Sequence, residues 1–367
     1  MSTIGFLGAG KARPRQVRLA EAPTRAVGRR LAVALLVLWS LGLQATAEAG
    51  PRHLPGATGT VWVTNRTLDN VAVFDAASGQ LIATIPVGRD PNSVTIPSAT
   101  EKAYVSNEVA NTVSVISTRS FSVVATIPIP TPGARPHHIT SSPNGKFVYV
   151  AEFGSNRVAV IDTDTDVVVA EFLTSDDPRA MTHALWVSND GRTLYAVNSG
   201  TDEIVALDAL TGQVLWRLPV GDNPSEILVT ANQRTAFVSI RGEDRIQVVD
   251  LSSRTIVASV PVGDQPDTLR LTNNGKTLVV AVRGSPAEVD LVDTATLAVT
   301  RILIAGTTTG HQWLSANGRY TFVAVEGPAG VAGVAVIDNR AAAEVARYPY
   351  PGGGRPHGLF YERSRSQ

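Results

Sequence analysis

Five of the chain's six histidines, His137, His138, His183, His311 and His357, stand just ahead of short β-branched runs. Imidazole is the side chain best suited to proton transfer near neutral pH and to ligating transition metals. Several neutral imidazoles gathered at one place would suit copper or zinc, so all five are candidate metal ligands. His137, His183 and His357 are also candidates for a catalytic acid/base role. Glu152, Arg241, Arg283 and Glu326 occupy related places, with Arg179 nearby. Guanidinium pairs recognise carboxylate and phosphate groups through parallel N–H donors, so these four residues are candidates for ligand binding. A plainer alternative for the histidines is a turn habit, Pro-His-Gly, with the imidazole packed at a strand start. The offset of one residue between His138 and His311 and the other three weakens the case for a regular ring of ligands.

Several other chemistries are excluded. The 367 residues contain no Cys, which removes disulfides, iron–sulfur clusters and thiol nucleophiles. There is no Gly-x-Ser-x-Gly elbow, no Walker loop and no His-Glu-x-x-His. Asp162-Thr-Asp-Thr-Asp166 lacks the Gly and the closing Glu of a calcium loop.

The elements that must position these residues repeat. Runs of the Val-x-Val-Ile-Asp kind end at Asp75, Ser117, Asp162, Asp208, Asp250, Asp293 and Asp338, at intervals of 42 to 46 residues. Periods in the forties, built from short strands, point to propeller blades. Each unit reads as four strands, with Asn-Gly or Asp-Gly turns at Asn144-Gly145, Asp190-Gly191, Asn274-Gly275 and Asn317-Gly318 supplying the positive φ that tight turns require. The chain begins its body at Val61-Trp-Val-Thr-Asn65, a second strand without a first. It ends at Pro356-His-Gly-Leu-Phe-Tyr361, a first strand without a second. Together these complete one blade. The expected fold is therefore all-β, a seven-bladed propeller of four-stranded antiparallel blades, closed by its own termini. In such a ring, the loop leading into each blade and the loop after its second strand share one end of the channel. That end is where the five histidines and the four charged residues are expected to meet. The loop leading into blade 4, Asp176 to Thr182, is longer than its counterparts and reads as a recognition element or lid.

Composition limits the partners. Lys and Arg total 32 against 32 Asp and Glu, but residues 1–49 hold seven basic and two acidic groups. The body therefore carries 25 basic against 30 acidic residues, a net of −5, which argues against nucleic-acid binding. Within residues 1–49, Arg29-Arg30 precedes the apolar run Leu31 to Leu43, followed by small residues up to Ala49. This pattern reads as an export leader cleaved after Ala47 or Ala49, and the run is short for a membrane span. Residues 50–59 read as a linker, 60–361 as the propeller and 362–367 as a disordered tail. The expected destination is the periplasm or the cell exterior, with no membrane span after cleavage, and a monomer.

The strings Val61-Trp-Val-Thr-Asn65, Tyr104-Val-Ser-Asn107, Asn111-Thr-Val-Ser-Val-Ile116 and Ser142-Pro-Asn-Gly-Lys-Phe-Val-Tyr-Val150 resemble the YVTN family of β-propeller repeats. The resemblance covers about residues 60–361. It implies a seven-bladed ring of an exported or surface-layer kind, and it implies little about activity, since propellers host binding, scaffolding and catalysis alike. The motif Asn is present as Asn65, Asn107 and Asn198. Blade 3 has Glu152 there, and blades 5 to 7 have Ile240, Val282 and Val325. The functional expectation is a binding or scaffold module that recognises a small ligand, a metal or a protein partner at the channel mouth, a small anion and a protein being the partners in view. The alternative is a propeller enzyme, lactonase- or lyase-like or metal-dependent, that uses the histidines.

Overall fold

Alternation of Val, Ile and Ala with polar residues makes each short run a strand, and the turn residues between runs stop it. The computed structural model describes residues 53–98 and 100–364; the expected leader lies outside the described residues. These residues form seven four-stranded antiparallel sheets. Each is a blade, and its first strand lies innermost. The inner strands are Pro356–Arg363 in blade 1, then Pro91–Thr95, Pro136–Ser141, Thr182–Val187, Pro224–Val229, Pro266–Leu271 and Thr308–Leu314 in blades 2 to 7. Five of them open on Pro, which has no N–H to give and is tolerated at a strand's first position.

The recurring Asp at the end of each third strand makes an Asx turn. Its Oδ1 accepts the N–H groups two and three residues on, as Asp162 does from Asp164 and Thr165 at 3.1 and 2.9 Å. In blade 2 the Ser117 hydroxyl takes the same place. The acidic string after Asp162 is thus a turn, and its last carboxylate is held by Lys102 and the Tyr104 hydroxyl at 2.7 and 2.6 Å.

The apolar core is divided into seven seams, one between each pair of neighbouring blades. The seam between blades 7 and 1 is the most aromatic, with Phe74, Phe322, Tyr348, Tyr350 and Tyr361 buried together. It is also where the termini meet. Gly59–Asn65 pairs with the C-terminal strand in the register Trp62↔Phe360 and Val61↔Tyr361, and Tyr361 stacks on Phe322 at 5.6 Å. The concentration of aromatic area supports the join that covalent continuity does not make. The last strand runs to Arg363, so Glu362 and Arg363, expected in the tail, belong to the ring.

Every inner strand carries an irregularity near its start, for example between Pro136 and Ile139 or between Pro266 and Leu269. A bulge re-aims consecutive side chains. Here it brings residues at two successive positions to the channel at different depths, an upper tier that includes His137, His183, Asp267 and His357 and a lower one that includes Ser93, His138, Glu226 and His311. Gly310 is required by close approach, because a Cβ there would lie 2.6 Å from the His357 carbonyl oxygen.

Candidate functional site

His137, His183, Asp267 and His357 of the upper tier, with His311 from the lower, line a chamber of about 370 Å³ at the channel mouth. Its rim comes from the residue that follows the motif position at the end of each second strand: Arg66, Glu108, Phe153, Ser199, Arg241 and Arg283 in blades 1 to 6. The seventh, Glu326, stands beside the chamber and pairs with Arg355 and Arg283 at 3.1 and 3.6 Å. Residues directly before inner strands also reach the chamber. Arg135, Met181 and Asn223 line it, each with left-handed φ between 50° and 54°, a conformation uncommon for side chains other than Asn, Asp or Gly.

Two cationic walls result. On one, Arg66 grips Asp90 through both Nε and Nη2, at 2.6 and 2.7 Å, and reaches Glu108 at 2.7 Å. Arg135 also pairs with Glu108. Arg66 is thus held by three charge-assisted bonds, while Arg135 makes one and is half exposed. On the other wall, buried Asp267 receives Arg241 at 2.5 Å and Arg283 at 3.4 Å. Burial raises the Asp267 pKa, but the two guanidiniums outweigh it and hold the carboxyl well below its usual range. Arg241 Nε is buried and has no partner among the described residues. The Arg283 contacts, 3.4 to 3.6 Å, are longer than the 2.7–2.9 Å typical of charge-assisted bonds. Arg283 therefore keeps donor capacity at the chamber, and Arg241, which lines it too, carries one buried donor without a partner among the described residues.

Backbone carbonyls fix the imidazoles. His137 Nδ1 lies 3.2 Å from the His183 carbonyl oxygen, and His183 Nδ1 lies 2.8 Å from that of Ser225. A carbonyl only accepts, so both rings carry their proton on Nδ1 and keep a lone pair on Nε2. His357 Nδ1 lies 3.4 Å from Arg283 Nη1, a donor, so this ring has the opposite tautomer. Burial holds His137 down to about 4 and His311 to about 3, and it holds His183 and His357 well below their ordinary value. All four are neutral near pH 7. His137 stacks on Phe153 at 5.4 Å, and the Arg135 guanidinium lies over the Phe153 ring, 5.0 Å from its centroid. The wall formed by blades 3 and 4 is thus aromatic, with imidazole acceptors.

The structure brings together His137, His183, His311, His357, Arg241 and Arg283. It does not bring in His138, Glu152 or Arg179. His138 belongs to the lower tier, where its Nδ1 accepts the Leu185 N–H at 3.3 Å. There it lines a smaller cavity of about 40 Å³ that it shares with His311 and Glu226. Beside this cavity Arg270 lies on Trp313, 4.2 Å from the ring centroid, and pairs with Glu226. Glu152 occupies the motif Asn position itself. Strand alternation turns it away from the rim, toward Glu171 of the outer strand, and burial beside that carboxyl raises its pKa to about 8. Arg179 is held by its neighbour Asp177 and is 78% exposed. The long loop before blade 4 is tied down by Asn156, which donates to the Asp177 carbonyl at 2.6 Å and accepts from Met181 N–H at 2.8 Å. The histidine rings meet in pairs, 4.4 Å apart for His137 and His183 and 4.8 Å for His311 and His357. Among the described residues no group of three or more His, Asp and Glu side chains is arranged to hold a metal ion.

Arg66, Glu108, Arg135, Phe153 and Asp267 escape the sequence reading. A signal for most of them was present. Arg66, Glu108 and Phe153 each follow the motif position, as Arg241 and Arg283 do. Asp267 follows Pro266 just as His137 follows Pro136.

Fold and chamber together define a seven-bladed β-propeller with a channel mouth lined by guanidinium and imidazole groups. The chain matches the YNCE-like beta-propeller family over residues 22–260, more than half its length, and belongs to that family. Among solved structures it is similar to hydrazine synthase of Kuenenia stuttgartiensis, with 20% identity and a TM-score of 0.66 over 81% of this chain and 98% of that one. It is also similar to a functionally unknown protein from Desulfotomaculum acetoxidans, with 13% identity and a TM-score of 0.69 over 84% and 100%. A third likeness is to the dihydro-heme d1 dehydrogenase NirN in complex with DHE, with 16% identity and a TM-score of 0.60 over 86% and 78%. At these identities the likeness concerns the fold alone. No curated protein matches the chain.

Proposed function

We propose that the protein is an exported binding module whose channel-mouth chamber takes a small organic anion through Arg241 and Arg283. The observation that carries this reading is the pair of guanidiniums resting on one buried carboxylate, Asp267, and lining the chamber, with the contacts of Arg283 long enough to leave it donors to give. A carboxylate or phosphate ester would complete those donors in a partly desolvated site, where charge-assisted hydrogen bonds are strongest. The volume, about 370 Å³, lies at the lower end of the range for small-ligand pockets. Export rests on the leader-like residues 1–49 and would place the module in the periplasm or outside the cell.

The same features favour an anion over a metal. The carboxylates at or beside the chamber, of Asp90, Glu108, Asp267 and Glu326, are each already paired with at least one of the guanidiniums of Arg66, Arg135, Arg241, Arg283 and Arg355, so none is left free to ligate a divalent cation. They also favour binding over acid/base catalysis, because imidazoles held this far below neutrality are weak bases at pH 7. The test is thermal unfolding of the mature protein with succinate, tartrate, inorganic phosphate, copper and zinc in turn. Stabilisation by one or more of the anions, weakening as salt rises and lost in Arg283→Gln, is expected. Stabilisation by copper or zinc alone would overturn the reading.

A further inference from the structure

The chamber offers two kinds of polar contact, and a bare anion satisfies only one of them. We infer that the ligand is a hydroxylated carboxylate, its carboxylate on Arg241 and Arg283 and its hydroxyl groups donating to the Nε2 atoms of His137 and His183. This inference rests on the anion-binding reading above and narrows it.

The Nδ1 atoms of His137 and His183 are committed to the carbonyl oxygens of the next inner strands, at 3.2 and 2.8 Å. Both rings line the chamber, and the one ring nitrogen each has left uncommitted is Nε2, an acceptor. Burial keeps the rings neutral, so neither can turn into a donor near pH 7. An anionic oxygen brought against such a lone pair is repelled, whereas a hydroxyl donates to it. A desolvated acceptor left without a donor costs about 1–3 kcal/mol. The site is therefore matched to a molecule that has deprotonated oxygens at one end and O–H groups along its chain. Phe153, stacked on His137 at 5.4 Å, supplies a face against which the C–H groups of such a chain pack. Arg241 and Arg283 belong to blades 5 and 6, and His137, Phe153 and His183 to blades 3 and 4, so the two kinds of contact come from different parts of the ring wall, as a two-ended ligand requires.

The experiment is calorimetric titration of the mature protein with pairs matched in chain length: succinate against tartrate, and hexanoate against gluconate. The hydroxylated member of each pair is expected to bind about tenfold or more tightly. His183→Phe and, separately, His137→Phe should shrink that ratio toward one; two variants guard against one failing to fold. Equal affinity within each pair would overturn the hydroxyl assignment and leave the anion reading standing. Absence of binding by all four compounds would overturn both.

Discussion

His183 Nδ1 lies 2.8 Å from the carbonyl oxygen of Ser225 on the neighbouring inner strand, and that contact decides which edge of the ring the chamber meets. His137 repeats the arrangement one blade earlier, with the His183 carbonyl as its acceptor. The histidines thus stitch adjacent blades together and at the same time present lone pairs to the channel.

Stability should fall on mild acidification. His137, His183, His311 and His357 have folded pKa values below the ordinary 6.5, His137 at about 4. The unfolded chain then takes up protons that the folded one refuses, so the stability present above pH 6.5 is lost progressively as the pH falls toward 4. Thermal melts between pH 7.5 and 4.5 should show a steep drop in Tm that is shallower in His137→Gln/His183→Gln. A flat profile in the parent protein would mean that the imidazoles are not buried as described.

Asp267 anchors both ligand-facing guanidiniums. Replacing it with Asn should destabilise the ring by about 3 kcal/mol, the scale for removing one member of a buried pair, because Arg241 and Arg283 lose their shared counter-charge. An added dianion should restore more Tm to Asp267→Asn than to the parent. An unchanged melting curve would show that the pair is not anchored through this carboxylate.

Glu152 is expected to be a cost at neutral pH. Its folded pKa, about 8, lies above the ordinary 4.5. Its contribution is therefore favourable only at acid pH and is lost as the pH rises from 4.5 toward 8, at pH 7 on the order of 3 kcal/mol. Glu152→Asn restores the residue that blades 1, 2 and 4 carry and supplies an N–H donor to Glu171, as Asn198 does to Glu203 at 3.0 Å. The variant should melt higher than the parent at pH 8, with a gain that shrinks toward pH 5. A loss of stability at pH 8 would count against the buried carboxyl pair.

Ring closure can be probed at Leu359, which is buried in the aromatic seam between blades 7 and 1. Leu359→Ala should cost about 2–4 kcal/mol in chemical denaturation. A cost below about 0.5 kcal/mol would imply that the terminal strand contributes little to holding the ring.

The blades, the turns and the self-closing ring were legible because each rests on a local rule repeated seven times. The site was only half legible. Register decides a residue's face in a strand, and a shift of one residue reverses it. Glu152 and Phe153 illustrate this: the charged residue at the motif position points to Glu171, while the Phe after it reaches the chamber. The separation of His138 from His137 was hidden for another reason. The bulge that opens each inner strand sends neighbouring residues to different depths of the channel, and no residue pattern marks it. Asp267 was missed because a carboxylate in a place otherwise rich in His is recognised only once Arg241 and Arg283 are seen to converge on it.

The most direct test of the account is a calorimetric titration of tartrate into the parent protein, the Arg241→Gln/Arg283→Gln variant and Arg119→Gln, whose side chain is 78% exposed on the outer surface. The account predicts one site per chain in the parent and in Arg119→Gln, with affinity falling as salt is raised, and at least a hundredfold loss in the double variant. Equal binding by all three proteins would place the anion elsewhere and contradict the assignment of the chamber.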